Sequence, residues 1–149
     1  MKITAIILGV VVVAILAVLL FVPAPKRQPV QAVPAAMAIS SDGHVRVDSP
    51  RPGDAVDSPL IVNGTVTGGG WFFEASFPVK VFDADGTVLG TGQAESQPAG
   101  NWTSTGTVVF VADIALAKSH SATGTVVLSK DDPSGLPANS ESLSIPVKF

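Results

Sequence analysis

"GGGWFFEASFPVKVFDADG", residues 68–86, holds five of the chain's nine aromatic residues. Its second half alternates: Phe77, Val79 and Val81 are apolar, with Pro78, Lys80 and Phe82 between them. Successive side chains of a strand point to opposite faces, so this spacing predicts a strand with one buried face. Extending the alternation backward places Trp71, Phe73 and Ala75 on the inner face with Phe77. It places Phe72, Glu74 and Ser76 on the outer face with Lys80 and Phe82. Trp71 and Phe73 are therefore expected in a core, and Phe72 and Phe82 are the aromatic rings that a core leaves over. "DADG", Asp83–Gly86, reads as a hairpin turn, because Asp bonds its own backbone and Gly tolerates a positive φ.

The same period recurs along the chain. Val45 and Val47 share one face of a short run, as do Leu60, Val62 and Val66. Trp102, Val108 and Phe110 share another, then Val126 and Leu128, then Leu143, Ile145, Val147 and Phe149. "TVLGTGQAE", residues 87–95, reads as a weaker, glycine-containing strand. "DSPRPGDAVDSP" (48–59), "SQPAGN" (96–101) and "DDPSGLP" (131–137) are turn sequences between the runs. Only "ADIALAK", Ala112–Lys118, suggests a short helical turn. About seven short strands joined by such turns predict an all-β domain, an immunoglobulin-like β-sandwich. The chain has no cysteine, so packing alone is expected to join the two sheets.

The start of the chain is of another kind. Residues 3–22, "ITAIILGVVVVAILAVLLFV", run twenty positions without a charge. At ~1.5 Å per residue a helix of that length spans ~30 Å, the thickness of a bilayer's hydrocarbon core. The run is longer than the apolar region of a cleaved signal, and Pro23 and Pro25 follow at once, so an uncleaved anchor is expected. The organisation read from the sequence is a transmembrane anchor over 1–22, a Pro/Ala-rich linker over 23–42 and a β-domain over 43–149. Lys2 flanks one end of the anchor and Lys26 and Arg27 the other, a near tie by the positive-inside rule. The signal-like "MK" start favours a cytoplasmic N-terminus and an extracytoplasmic C-terminal domain.

Charge is divided along the chain. All twelve acidic residues follow Ala38, against six basic ones, which leaves −6 on that part and +3 on the anchor and its flanks. A domain of that sign repels phosphate backbones, so nucleic acid is not an expected partner. The expected partners are the lipid bilayer, through the N-terminal helix, and an envelope protein or cell-wall polymer.

Residues 47–90 carry a string of motifs. "SPRPG" is followed by "SPLIVNG", "WFFEASFPV" and the "DADG" turn. Trp102, "KDDPSG" (130–135) and "IPVKF" (145–149) continue it. Together these resemble the immunoglobulin-like domain associated with bacterial spore germination and sporulation proteins, a Gmad-type domain, over Val45–Phe149. The chain departs from the pattern at Thr103, where methionine is usual, at Asp132, where asparagine is usual, and in an added glycine before Trp71. The resemblance implies an extracytoplasmic, often membrane-tethered, non-catalytic module.

The residues themselves offer little chemistry. His44 and His120 lack metal-ligand spacing, and no serine stands in a nucleophile motif. Asp83/Asp85 and Asp131/Asp132 are ordinary turn residues before they are calcium ligands. No catalytic residue, metal ligand or cofactor is expected. The candidate binding residues are Phe72, Glu74, Lys130 and Asp131, with Glu74 also expected to pair with Lys80 or Lys130. The function expected is a membrane-anchored binding or scaffolding module of the bacterial envelope. A carbohydrate- or peptidoglycan-binding module using Phe72 as a stacking platform is the alternative, and a small hydrolase the less favoured third.

Overall fold

The structure, a computed structural model, describes residues 36–68, 70–134, 136 and 140–149. The anchor expected over 1–22 and most of the linker lie outside the described residues. Among the described residues no helix is long and apolar enough to cross a membrane.

Eight antiparallel strands form one sheet: β1 (Ala38–Ile39), β2 (Val45–Ser49), β3 (Leu60–Thr67), β4 (Ser76–Asp83), β5 (Val88–Gln97), β6 (Thr107–Ile114), β7 (Thr123–Ser129) and β8 (Ser142–Lys148). Their order is β1-β2-β3-β6-β5-β4-β7-β8. Alternation explains each one. β4 buries Phe77, Val79 and Val81, β3 buries Leu60, Val62 and Val66, and β8 buries Leu143, Ile145 and Val147. These faces meet in a single core.

The expectation of two sheets joined by packing alone is corrected. β5 is ten residues long and pairs with β4 over Val88–Glu95 and with β6 over Glu95–Gln97. Its backbone therefore carries the hydrogen-bond ladder from one half of the domain into the other. At the opposite edge the chain after β2 crosses to β8 and runs parallel to it, bridging Ala55 to Lys148. Gly53 N bonds Pro146 O at 2.8 Å, Lys148 N bonds Asp54 O at 2.8 Å and Val56 N bonds Lys148 O at 2.9 Å. The sheet is thus nearly closed, which leaves little free strand edge for pairing with another chain.

Two prolines sit inside strands where a missing N–H costs no ladder bond. Pro78 faces Gln93 of β5, and the β4–β7 ladder begins only at Val79. Pro146 presents its carbonyl to Gly53, and in an antiparallel strand the N–H of a residue points the same way as its carbonyl. Its absent donor therefore lies on the side away from β7.

Three local expectations are corrected. Ala112–Lys118 forms no helical turn: Ala112 and Ile114 are buried β6 residues opposite Val62 and Leu60, and alternation continues to the half-buried Leu116. Trp102 lies in a turn, half-buried against the core, and its strand begins at Thr107. β1 and the turn after it lie inside the segment read as linker. A further correction, at Phe72 and Phe73, decides the site.

Candidate binding surface at one end of the sheet

The strand directions bring four segments to one end: residues 40–44 and the β3–β4, β5–β6 and β7–β8 connections. Backbone bonds tie them together. Thr67 N donates to His44 O at 2.8 Å, Gly68 N to Gly106 O at 3.0 Å, and Asp131 N to Trp71 O at 3.2 Å. Asp42 supplies the polar centre. Its carboxylate accepts from the Trp71 indole N–H at 3.0 Å, from the His44 amide at 2.9 Å and from Ser40 Oγ. Desolvation pushes the Asp42 carboxyl up, but these hydrogen bonds and the neighbouring His44 outweigh it and leave its pKa below the ordinary value. Ser41 Oγ in turn bonds the Glu141 carboxylate. Trp71, 1% exposed, is thereby fixed at its polar edge by the turn that precedes β2.

The segment that follows does not continue as a strand. Phe73 and Ser76 exchange backbone bonds at 2.9 and 3.1 Å, which closes a two-residue turn over Glu74 and Ala75. Both turn residues have positive φ, 50° and 74°. The pair of positive φ values is the pattern of a type I′ hairpin turn, normally built from Asn-Gly. Residues facing each other across a hairpin share a face. Phe73 stands opposite Ser76, and Phe72 next to it shares the side of Phe77.

This reverses the sequence-based assignment. Phe72 is 5% exposed, its ring 5.3 Å from that of Phe77, and it belongs to the core. Phe73 is 39% exposed and stands at the tip of the hairpin. Phe72 is therefore not available as a stacking platform. Glu74 is exposed beside Phe73. The expected pairing of Glu74 with Lys80 or Lys130 does not form: among the described residues the one ion pair is Arg46–Asp48, at 2.9 Å. Lys130 and Asp131 are half-buried, with Lys130 N on Glu141 O at 2.9 Å and Asp131 N on Trp71 O.

The four sequence candidates thus reach the same end without forming one pocket. Glu74 borders a shallow cavity of about 190 Å³ with Ser76, Glu95, Ser96 and Gly100. Lys130 and Asp131 take no part in it: Asp131 is tied to Trp71 and Lys130 to Glu141. Sequence reasoning missed Phe73 as the exposed ring, Asp42 as the tie to Trp71, and Leu136, which is 58% exposed in the β7–β8 connection. Spacing carries no trace of the first, because neither Gly nor Asn marks the turn.

Non-glycine residues in the left-handed region are strained by about 1–2 kcal/mol each. Replacing Glu74-Ala75 with Asn-Gly is expected to raise stability by about 1–2 kcal/mol in urea unfolding at an unchanged slope. A double variant no more stable than the parent would show that the turn is relaxed.

The opposite end holds a second polar centre that the sequence reading took for turn chemistry alone. Asp83, 4% exposed, accepts from Ser119 Oγ at 3.0 Å, His120 N at 3.0 Å and Ala84 N at 2.7 Å. The Ser121 hydroxyl beside it lowers its carboxyl pKa. Burial works the other way, and the remaining hydrogen bonds bring it down to about 2. Asp83 is a structural anchor for the β6–β7 connection. Among the described residues no group of three or more His, Cys, Asp and Glu side chains is placed to hold a metal ion.

Residues 44–136 match the family model of the immunoglobulin-like domain of bacterial spore germination, Gmad2. Among curated proteins and solved structures none matches this chain.

Proposed function

The chain belongs to the family of immunoglobulin-like domains of bacterial spore germination, and on that premise we propose that it is a membrane-anchored, extracytoplasmic, non-catalytic binding module of the bacterial envelope. The apolar run over 3–22 supports the anchor, and the −6 charge of the part that follows supports a role apart from nucleic acid. The observation that carries the binding role is Phe73. An aromatic ring is held out at a hairpin tip by a turn whose two residues, Glu74 and Ala75, both take strained positive-φ conformations. Strain of this kind collects where a side chain must be presented in one place. β1 runs toward this end, so the described chain enters the domain at the other end.

The test is a photo-crosslinking amino acid placed at position 73 of the full chain in intact cells, with position 65 on the outer face of β3 as control. Crosslinks to an envelope protein or cell-wall polymer from 73 and not from 65 are expected. Equal yields from both positions, or none from 73, would remove the binding surface from this end. Protease added to spheroplasts should digest the C-terminal domain; protection until lysis would reverse the topology.

A further inference from the structure

The geometry points to a binding site for a small zwitterion with an apolar body, an apolar amino acid or dipeptide, at the end of the sheet opposite Phe73. A cavity of about 430 Å³ opens there between residues 56–58, residues 116–119, Ser121 and Phe149. That volume is in the range that holds small ligands, roughly 300–1,000 Å³. Val56, Leu116 and Phe149 supply an apolar lining. The Phe149 ring rests over Gly124, where a side chain would leave it no room: a Cβ there would come within 2.7 Å of ring carbon Cζ.

The walls are fixed before any ligand arrives. Val56 N bonds Lys148 O at 2.9 Å and Leu116 N bonds Ser58 Oγ at 2.9 Å. Ala117 N bonds Leu89 O at 2.8 Å and Phe149 N bonds Ala122 O at 3.2 Å. Ser119 is held by Asp83. The two charged residues of the lining, Asp57 and Lys118, therefore each sit between neighbours that are hydrogen-bonded in place. Both are exposed, and neither forms an ion pair, with the other or with any described residue. Asp83, the nearby anion, is already saturated by the Ser119 hydroxyl and the His120 and Ala84 amides.

One free carboxylate and one free ammonium thus border one apolar lining. A ligand that completes them carries an ammonium for Asp57, a carboxylate for Lys118 and apolar side chains for Val56, Leu116 and Phe149. The backbone of the site is held beforehand, so binding has only the Asp57 and Lys118 side chains left to order. The Ser58 hydroxyl, which accepts the Leu116 amide, keeps its own proton for a ligand carbonyl.

The test uses the full chain in nanodiscs and saturation-transfer difference NMR with the dipeptide Leu-Val, empty nanodiscs serving as blank. Saturable transfer to the leucine and valine methyls is expected. Acetylating the amine or amidating the carboxylate should weaken binding at least tenfold. Asp57→Asn and Lys118→Gln should do the same with unchanged melting temperature, since both side chains are exposed. Glu74→Gln at the far end should bind the dipeptide like the parent. Absence of transfer, or capped and zwitterionic dipeptides binding alike to the parent chain, would overturn the assignment whatever the variants do. It stands apart from the role given to Phe73, which crosslinking tests alone.

Discussion

Phe72→Ala is expected to lower the domain's stability by about 3 kcal/mol, and Phe73→Ala by well under 1 kcal/mol. Phe72 loses a ring packed on Phe77, which in turn meets Trp71 at 5.9 Å and Phe110 at 5.0 Å. A cavity at that position opens beside the centre of the core. For a domain near 110 residues the change is worth on the order of 10–15 °C in melting temperature. Phe73 loses a ring already in contact with solvent. The two variants, melted side by side, decide between the hairpin and a continuous strand. A continuous strand predicts the reverse order, with Phe73→Ala the damaging change. Equal losses would mean that both rings are covered.

Gly64→Ala is expected to cost about 3 kcal/mol, although it adds one methyl group in the middle of a well-formed strand. Gly64 faces Val47 of β2 and Phe110 of β6. A Cβ there would lie 2.8 Å from Phe110 Cζ and closer still to the backbone carbonyl of Arg46. Ring and ladder would both have to move, and overpacking of a rigid site costs 1–3 kcal/mol or somewhat more. Gly70→Ala is the matched control, with open space around its Cβ position. It should change stability by less than about 1 kcal/mol. A tolerated Gly64→Ala would show that β2 and β3 can part without loss.

The two predictions mark where the sequence was legible. Strands with an uninterrupted alternation declared themselves: β3, β7, β8 and β4 from Phe77 onward each bury the residues their spacing selects. The hairpin before β4 did not. A turn is visible in sequence when its conformation demands Gly or Asn, and Glu74-Ala75 adopts that conformation without either. Counting by twos through it moved Phe72 out and Phe73 in. Trp71 was assigned correctly, but not for the reason of alternation; its place is set by Asp42, twenty-nine residues earlier in the chain. Of the site candidates, Glu74 was put on the outer face by alternation and is exposed instead because it sits in the turn, whereas Asp131 meets Trp71, and Lys130 meets Glu141, through backbone bonds that no side-chain pattern encodes. Asp57 and Lys118 come to line one cavity only through the crossing of the chain to β8 and the loop after β6. Both belong to tertiary structure.

That crossing also governs how the domain bears force. Ala36 enters, and Phe149 lies, at the same end of the sheet, so a tug between them does not simply stretch the molecule along its length. β1 holds β2 over two residues and peels away bond by bond. Gly53–Val56 and β8 run in the same direction, and pulling them toward opposite ends slides one along the other. The bonds from Gly53, Lys148 and Val56 then bear the load at once instead of in succession. Three bonds sheared together resist far more than the same three unzipped, and this seam is where the domain resists such a pull.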